Sequence, residues 1–347
     1  MKLVYYISGH GLGHVSRSIE LIDHLTSQRP DLRVIVLTSA PEWAFGRIRS
    51  AAVAVQPLET DSGVAQRDSL SVDEHETARR AAMFYDEWDR RVADEARRLR
   101  ELGAHLVVSD IAPLAFAAAG RAGLPAAAVA NFTWDWIYAY YSEFEREAPG
   151  VIGAISSAYA LATLALRLPF PGGFASMAAV MREIPFIARR STRDPADTRR
   201  VLRIDPQRPM VLSSFAGHGA PLPYARLAAS GLTVLAPDQA PPAGLRYEDL
   251  VAAADVVVSK PGYGIVSECI ANRTPLLYTS RGRFAEYDVM VSEMPRLLRC
   301  RYIPQEELLA GNWAGAIDAL LGQPEPLERP RVDGASIGAA QILALRS

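Results

Sequence analysis

Short apolar runs rich in β-branched residues alternate along this chain with segments whose apolar positions recur every three or four residues. The runs at 2–8 (KLVYYIS), 33–39 (RVIVLTS), 105–110 (HLVVSD) and 125–132 (PAAAVANF) have the length and composition of buried strands. Between the first two, Val15, Ile19, Ile22 and Leu25 line one face of a helix expected from about 15 to 28. Residues 71–102 predict one or two helices, with Trp88, Val92, Ala96 and Leu99 at helical spacing among charges. The alternation restarts near residue 190: a solvated helix and turn at 194–209 lead into runs at 210–215, 232–237, 254–259 and 275–280, and 335–347 predicts a closing helix. Such alternation marks parallel α/β architecture, here in two halves. The expected division is a domain over 1–188, a second over 189–330, and a C-terminal helix over 331–347 packing back on the first.

The longest apolar stretch, 151–180, is interrupted by Arg167 and a Pro-Gly cluster. It falls short of the roughly 18 uninterrupted apolar residues of a spanning helix. It predicts a buried helix followed by a loop, or an exposed apolar face that would touch a membrane peripherally. The N-terminus enters a strand without the basic and apolar regions of a signal peptide, so a soluble, cytoplasmic protein is expected.

Composition narrows the partners. The 347 residues are 49% apolar, enough for two cores, and a net charge of -2 offers no basic field for nucleic acid. Cys269 and Cys300 form neither a disulfide framework nor a metal spacing. Lysine occurs only at Lys2 and Lys260, which draws attention to the loop that carries Lys260. Oligomeric state is not legible.

Open parallel sheets bind ligands beyond the carboxyl ends of their strands, which singles out loops 8–17, 109–113, 214–220 and 259–268. The first, ISGHGLGHVSR (7–17), begins like a dinucleotide fingerprint, but His14 stands where the third glycine belongs and no acid ends the second strand. As a metal site it lacks a carboxylate or thiol beside His10 and His14. A tight turn with a histidine satisfied by backbone is a plain alternative for His10. The third reading has Gly11 and Gly13 admitting substrate closely, while His14 projects from the positive end of a helix. An imidazole there stays neutral and is a candidate general base, which Asp110 would orient if it lies close enough. In the second half, SKPGYG (259–264) follows a strand and opens a helix. Amides at Gly262 and Gly264 with Lys260 suit a phosphate, and Glu268 inside that helix suits ribose hydroxyls; a solvated lysine and a helix-dipole carboxylate are the bland alternative.

Together, SGHGLGHVSRSIELIDHL near the start and ADVVVSKPGYGIVSECIANRTPLLY late in the chain resemble nucleotide-sugar glycosyltransferases of the GT-B fold, in the branch of the peptidoglycan N-acetylglucosaminyltransferase. A closer resemblance, carried also by SDIAPLAFAAA (109–119), NFTWDWIY (131–138) and LRLPFP (166–171), is to the glycosyltransferase-like N-terminal region of plant L-arabinokinase. No kinase phosphate loop occurs, so kinase activity is not implied. The resemblance implies α/β GT-B architecture, with two Rossmann-like domains facing a central cleft and the nucleotide on the C-terminal one. By position it implies that Glu268 meets the ribose, that Gly262, Tyr263 and Gly264 lie beside the diphosphate, and that Ser214 and Gly217 belong to a second phosphate loop with His218 unassigned. It places Glu286 and Tyr287 at the donor sugar and His14 beside the acceptor, with Asp110 as its paired acid; Asp135 is a further carboxylate that would face the cleft.

The expected activity is inverting transfer of a sugar from a nucleotide-diphosphate sugar, UDP-linked by preference, to the hydroxyl of a small-molecule, glycan or lipid-linked acceptor. No D-x-D triplet occurs, consistent with a metal-independent, cofactor-free mechanism. A nucleotide-sugar epimerase or hydrolase on the same fold, and a non-catalytic sugar-nucleotide sensor, are the alternatives.

Overall fold

The computed structural model describes residues 1–68, 70–215, 222–236, 241–242 and 244–346, and among these the chain forms two parallel sheets. The first contains β1 (Lys2–Ile7), β2 (Arg33–Thr38), β3 (Val53–Pro57), β4 (Leu106–Asp110), β5 (Ala126–Phe132), β6 (Leu164–Gly172) and β7 (Met181–Glu183). Their order is β3-β2-β1-β4-β5-β6-β7, with every pairing parallel. Its central strands carry almost no polar residues because both faces are covered, as parallel sheets require. Leu3 to Ile7, Leu106 to Val108 and Ala126 to Ala128 are all fully buried. The helix Leu12–Gln28 turns Val15, Ile19, Ile22 and Leu25 inward, and Trp88–Glu101 does the same with Val92, Ala96 and Leu99.

The second sheet contains β8 (Met210–Ser214), β9 (Thr233–Leu235), β10 (Val256–Ser259), β11 (Leu276–Tyr278) and β12 (Cys300–Tyr302), in the order β12-β11-β10-β8-β9. It too is parallel throughout. Val211, Val256, Val258 and Leu277 pack there with Leu227, Leu308, Trp313, Ile317 and Leu320.

The chain separates into two compact units, one of 1–65, 73–187 and 331–347, the other of 66–72 and 188–330. In the first, the helix Gly334–Leu343 returns onto the helix Leu12–Gln28, where the Gln28 side-chain amide donates to the Ser336 carbonyl at 3.1 Å. The second unit includes a short excursion from the N-terminal half, closed by an antiparallel bridge between Gln66 and Val72, with Leu70 packed on the apolar cluster.

The stretch 151–180 departs from expectation. It is neither a helix with a loop nor an exposed face: the helix Val151–Tyr159 is followed by β6, a strand of the first sheet. The alternation of buried and half-buried positions from Leu166 to Gly172 is the period of two that a strand imposes, and two prolines within it masked that signal. Among the described residues, no helix is long and apolar enough to cross a membrane.

Topology places the polar loops. In the first sheet the strand order reverses between β1 and β4, in the second between β8 and β10. Adjacent βα loops diverge at such a point and leave a crevice beyond the strand ends.

Candidate functional site

In the first unit, β1 ends at Ile7 and the chain turns through Ser8–Gly11 into the helix that begins at Leu12. Gly11 adopts a φ of 140°, in the region that favours glycine, and a side chain at Gly9 would lie 2.0 Å from Ser39 Oγ. These two glycines let the loop turn tightly and set His14 in the first helical turn. From there its Nδ1 lies 2.8 Å from Asp110 Oδ1, at the end of the neighbouring β4.

Asp110 is completely buried, which alone would push its pKa up; the Arg17 charge, with interactions from His14 and the hydrogen bonds of both residues, overcomes burial and holds it below the usual carboxylate range. Arg17, one turn after His14, grips it through both Nε (2.6 Å) and Nη2, while Ser18 Oγ donates at 3.2 Å. The remaining Arg17 nitrogen donates to Asn131 Oδ1 on β5 at 2.6 Å. A carboxylate oxygen and a bare imidazole nitrogen, both acceptors, do not sit 2.8 Å apart without a proton between them. Arg17 Nη2 also lies 3.0 Å from this nitrogen; with its hydrogen on Nδ1, the neutral ring would keep Nε2 as its lone-pair atom.

Around this pair lies a second buried set. His14 meets Phe132 edge-on with centroids 5.6 Å apart, and its ring is 6.3 Å from that of Trp134. The Trp134 indole donates to Asp61 Oδ2 at 3.3 Å, and Ser8 Oγ donates to Asp61 Oδ1 at 3.1 Å. Burial pushes Asp61 up to about 6. His10 is satisfied by backbone, its Nδ1 accepting from Val64 N at 3.1 Å. Asp135 is tied to Ser156 at 2.8 Å and to the amide of Trp136, so it holds local structure. Trp134 and Tyr138 are core residues, stacked on one another.

In the second unit, Ser214 ends β8 and Ser259 ends β10, and Ser259 Oγ ties them by donating to the Ser214 carbonyl at 2.6 Å. The helix Tyr263–Asn272 opens after Gly262 with no acidic residue in its first turn, leaving its positive end uncompensated. Lys260 is half-buried and its Nζ reaches Gln66 Oε1 at 3.4 Å. Burial, with Arg281 nearby, lowers the Lys260 pKa to about 8. Arg281 Nη1 donates to the Pro261 carbonyl at 3.2 Å and pairs with Glu286 at 3.3 Å, its guanidinium 3.9 Å above the Phe284 ring.

Glu268 is buried further along the same helix, and Arg189 binds its Oε1 from Nε at 2.7 Å and again from Nη2. Glu248 lies 3.9 Å from the other guanidinium nitrogen. Burial works against the Arg189 charge, but the two glutamates outweigh it and raise its pKa. Tyr247 beside this cluster meets Ser214 through its hydroxyl.

The sequence-derived residues thus fall into two groups. Gly11, Gly13, His14 and Asp110 gather in the first unit; Ser214, Lys260, Gly262, Tyr263, Gly264, Glu268, Glu286 and Tyr287 lie in the second. Gly217 and His218 lie outside the described residues. Arg17, Asn131, Asp61, Arg189 and Arg281 escaped the sequence reading. Arg17 alone left a trace: an arginine on the buried face of an amphipathic helix needs an acid.

Two Rossmann-like sheets in one chain, each with its polar loops gathered where the strand order reverses, is the construction of the GT-B sugar-transferring enzymes. Residues 1–204 match glycosyl transferase family 1, and the chain belongs to that family. L-arabinokinase of Arabidopsis thaliana is 28% identical over 369 residues, taking in 99% of this chain and 34% of that protein. The chain spans about a third of the length of this curated relative. Among solved structures, the calicheamicin glycosyltransferase CalG4 superposes with a TM-score of 0.62 at 15% identity, covering 99% of this chain and 97% of its own. The glycosyltransferase VinC, solved in complex with DTDP, gives 0.58 at 16% identity over 99% and 94%. At such identities the likeness is one of fold.

Proposed function

We propose that this chain transfers a sugar from a nucleotide-diphosphate sugar, UDP-linked by preference, to an acceptor hydroxyl with inversion, using His14 as the base. The carrying observation is the 2.8 Å contact of His14 Nδ1 with Asp110, which leaves Nε2 to receive the hydroxyl proton. As that proton leaves, the oxygen attacks the anomeric carbon, and the bond to the phosphate oxygen breaks with its electron pair on the diphosphate. Asp110 stabilises the resulting imidazolium, and Arg17 keeps Asp110 ionised and in place. The nucleotide side rests on the second unit. First-turn amides of Tyr263–Asn272, Lys260 and Arg281 supply positive charge for a diphosphate, acting on the leaving group without requiring a divalent cation. Glu268, held by Arg189 about one and a half turns into the helix, serves the ribose hydroxyls. VinC was captured with such a nucleotide.

Thermal-shift measurement against a panel of nucleotides and nucleotide sugars tests the donor side; stabilisation by a UDP- or dTDP-sugar is expected, and silence across the panel would overturn it. His14→Ala separates enzyme from sensor. An enzyme keeps the nucleotide-induced shift in this variant and loses transfer, whereas Glu268→Ala loses the shift.

A further inference from the structure

Two carboxylates are buried close to His14, and they are treated differently. Asp110 has a permanent cation in Arg17. Asp61, on the segment after β3, is 8% exposed and takes its hydrogen bonds from two neutral donors, Ser8 Oγ and the Trp134 indole. A carboxylate offers about four acceptor positions, so two neutral bonds leave it under-satisfied for a buried charge. Both donors also belong to the surroundings of His14: Ser8 lies in the loop that delivers it, and the Trp134 ring stands 6.3 Å from the imidazole.

We infer that Asp61 is a positioning residue for the proton transfer, a second carboxylate whose charge favours the imidazolium form of His14. The inference rests on the reading of His14 as base. While His14 is neutral, Asp61 is a buried carboxylate held only by neutral donors. When the acceptor proton arrives on His14 Nε2, the cation that Asp61 lacks appears within the same buried cluster. Asp110 meets the imidazolium at Nδ1, and Asp61 acts on it through space. Preorganised charge of this kind contributes only as the transition state develops.

The electrostatics agree. Burial raises Asp61 to about 6, and a positive charge on His14 is the largest influence opposing it. Of the other groups about it, Asp110 raises it further. Tyr85, Tyr138 and Tyr159 all feel the Asp61 charge and are kept neutral by burial.

Carboxyl carbon NMR of the full-length chain, following Asp61 from pH 4 to 9, tests the coupling without a substrate. The wild-type midpoint is expected near 6. His14→Gln should move it upward by about one pH unit, because the positive charge that His14 carries when protonated is lost from beside the carboxylate. Ser8→Ala should also move it upward, by removing a donor to the charged form. An Asp61 midpoint unchanged by His14→Gln overturns the inference while leaving His14 as base intact. Full transfer activity in His14→Ala overturns the base and the inference together. Neither test requires removing Asp61, so a variant that fails to fold does not stand in the way.

Discussion

The His14 region of the first unit and the Lys260 region of the second handle charge in opposite ways. Around Asp110 every charge is met: an arginine, a histidine and a serine converge on one carboxylate. Around Lys260 positive charge is only partly met: Arg281 lowers its pKa but is itself paired with Glu286, Asp68 acts the other way, and a helix terminus with no acid in its first turn lies beside it. A saturated network holds a proton acceptor in one orientation. A surplus of positive charge at a glycine-rich helix start is a standing invitation to an anion. On the proposed function, base and donor site would differ in how completely each region neutralises itself.

Removing His14 should break the first region functionally. His14→Ala is expected to lower kcat by about 10²- to 10⁴-fold, the usual worth of a general base, with the nucleotide Kd unchanged. Steady-state transfer assays alongside nucleotide titrations check both halves. Arg17→Met should break the same region structurally, because it strands Asp110 as a buried, uncompensated anion. The expected loss is about 3–5 kcal/mol at pH 7, read from urea unfolding. The low Asp110 pKa fixes the sign with pH: its contribution is complete above the unfolded value near 4 and disappears as pH falls through the depressed folded one. The difference between variant and wild type should therefore narrow in acid.

Much of this contrast was readable before any coordinates. Within the runs at 2–8 and 105–110, Leu3 to Ile7 and Leu106 to Val108 are uniformly apolar, as a doubly covered strand requires, and each run ends on chemistry at a predictable loop. His14 and Lys260 stood out because glycines surround them. Arg281 and Arg189 did not, because nothing local distinguishes them among so many arginines; only tertiary placement brings Arg281 to Pro261 and Arg189 to Glu268. Asp61 was hidden for the same reason, in a polar segment with the composition of an ordinary loop. The strand Leu164–Gly172 was missed because its prolines argue locally against a strand, while its position next to β5 argues for one. Local pattern reveals elements and glycine-framed residues; partners 20 or more residues away it does not.

Asp61 sharpens the comparison by being the exception within the saturated region. Its folded pKa is raised, so the folded state holds an extra proton between the unfolded value near 4 and about 6. Stability is lost as pH rises through that window, and the penalty persists at neutral pH. Asp61→Asn should remove it, stabilising the protein by about 1–3 kcal/mol at pH 7.5 and by little at pH 4. Denaturant unfolding at the two pH values checks the sign. A more stable variant would mean that the wild type tolerates a destabilising charge beside His14, the pattern expected where function, rather than folding, retains a residue. A variant destabilised at both pH values would make Asp61 a structural link between Ser8 and Trp134.

Lys260 carries the smallest expected effect and the most specific one. Lys260→Met should weaken nucleotide binding roughly tenfold at pH 7, about 1.4 kcal/mol, as one charge-assisted contact to phosphate is lost. In the wild type, affinity should fall as pH rises through about 8, because Lys260 then gives up the proton that attracts the anion. The stability of the ligand-free protein should move the other way. Between about 8 and the unfolded value near 10.4 the unfolded chain holds the extra proton, so folding becomes more favourable as pH rises. Binding should also draw a proton from solution near pH 8.5, since a phosphate beside Lys260 raises its pKa. Calorimetric titrations in two buffers of different ionisation heat measure that uptake directly. Its absence would remove Lys260 from the anion site and leave the helix terminus and Arg281 to hold the diphosphate. Its presence would show that Lys260 is left electrostatically incomplete until the donor arrives, where Asp110 is compensated in advance.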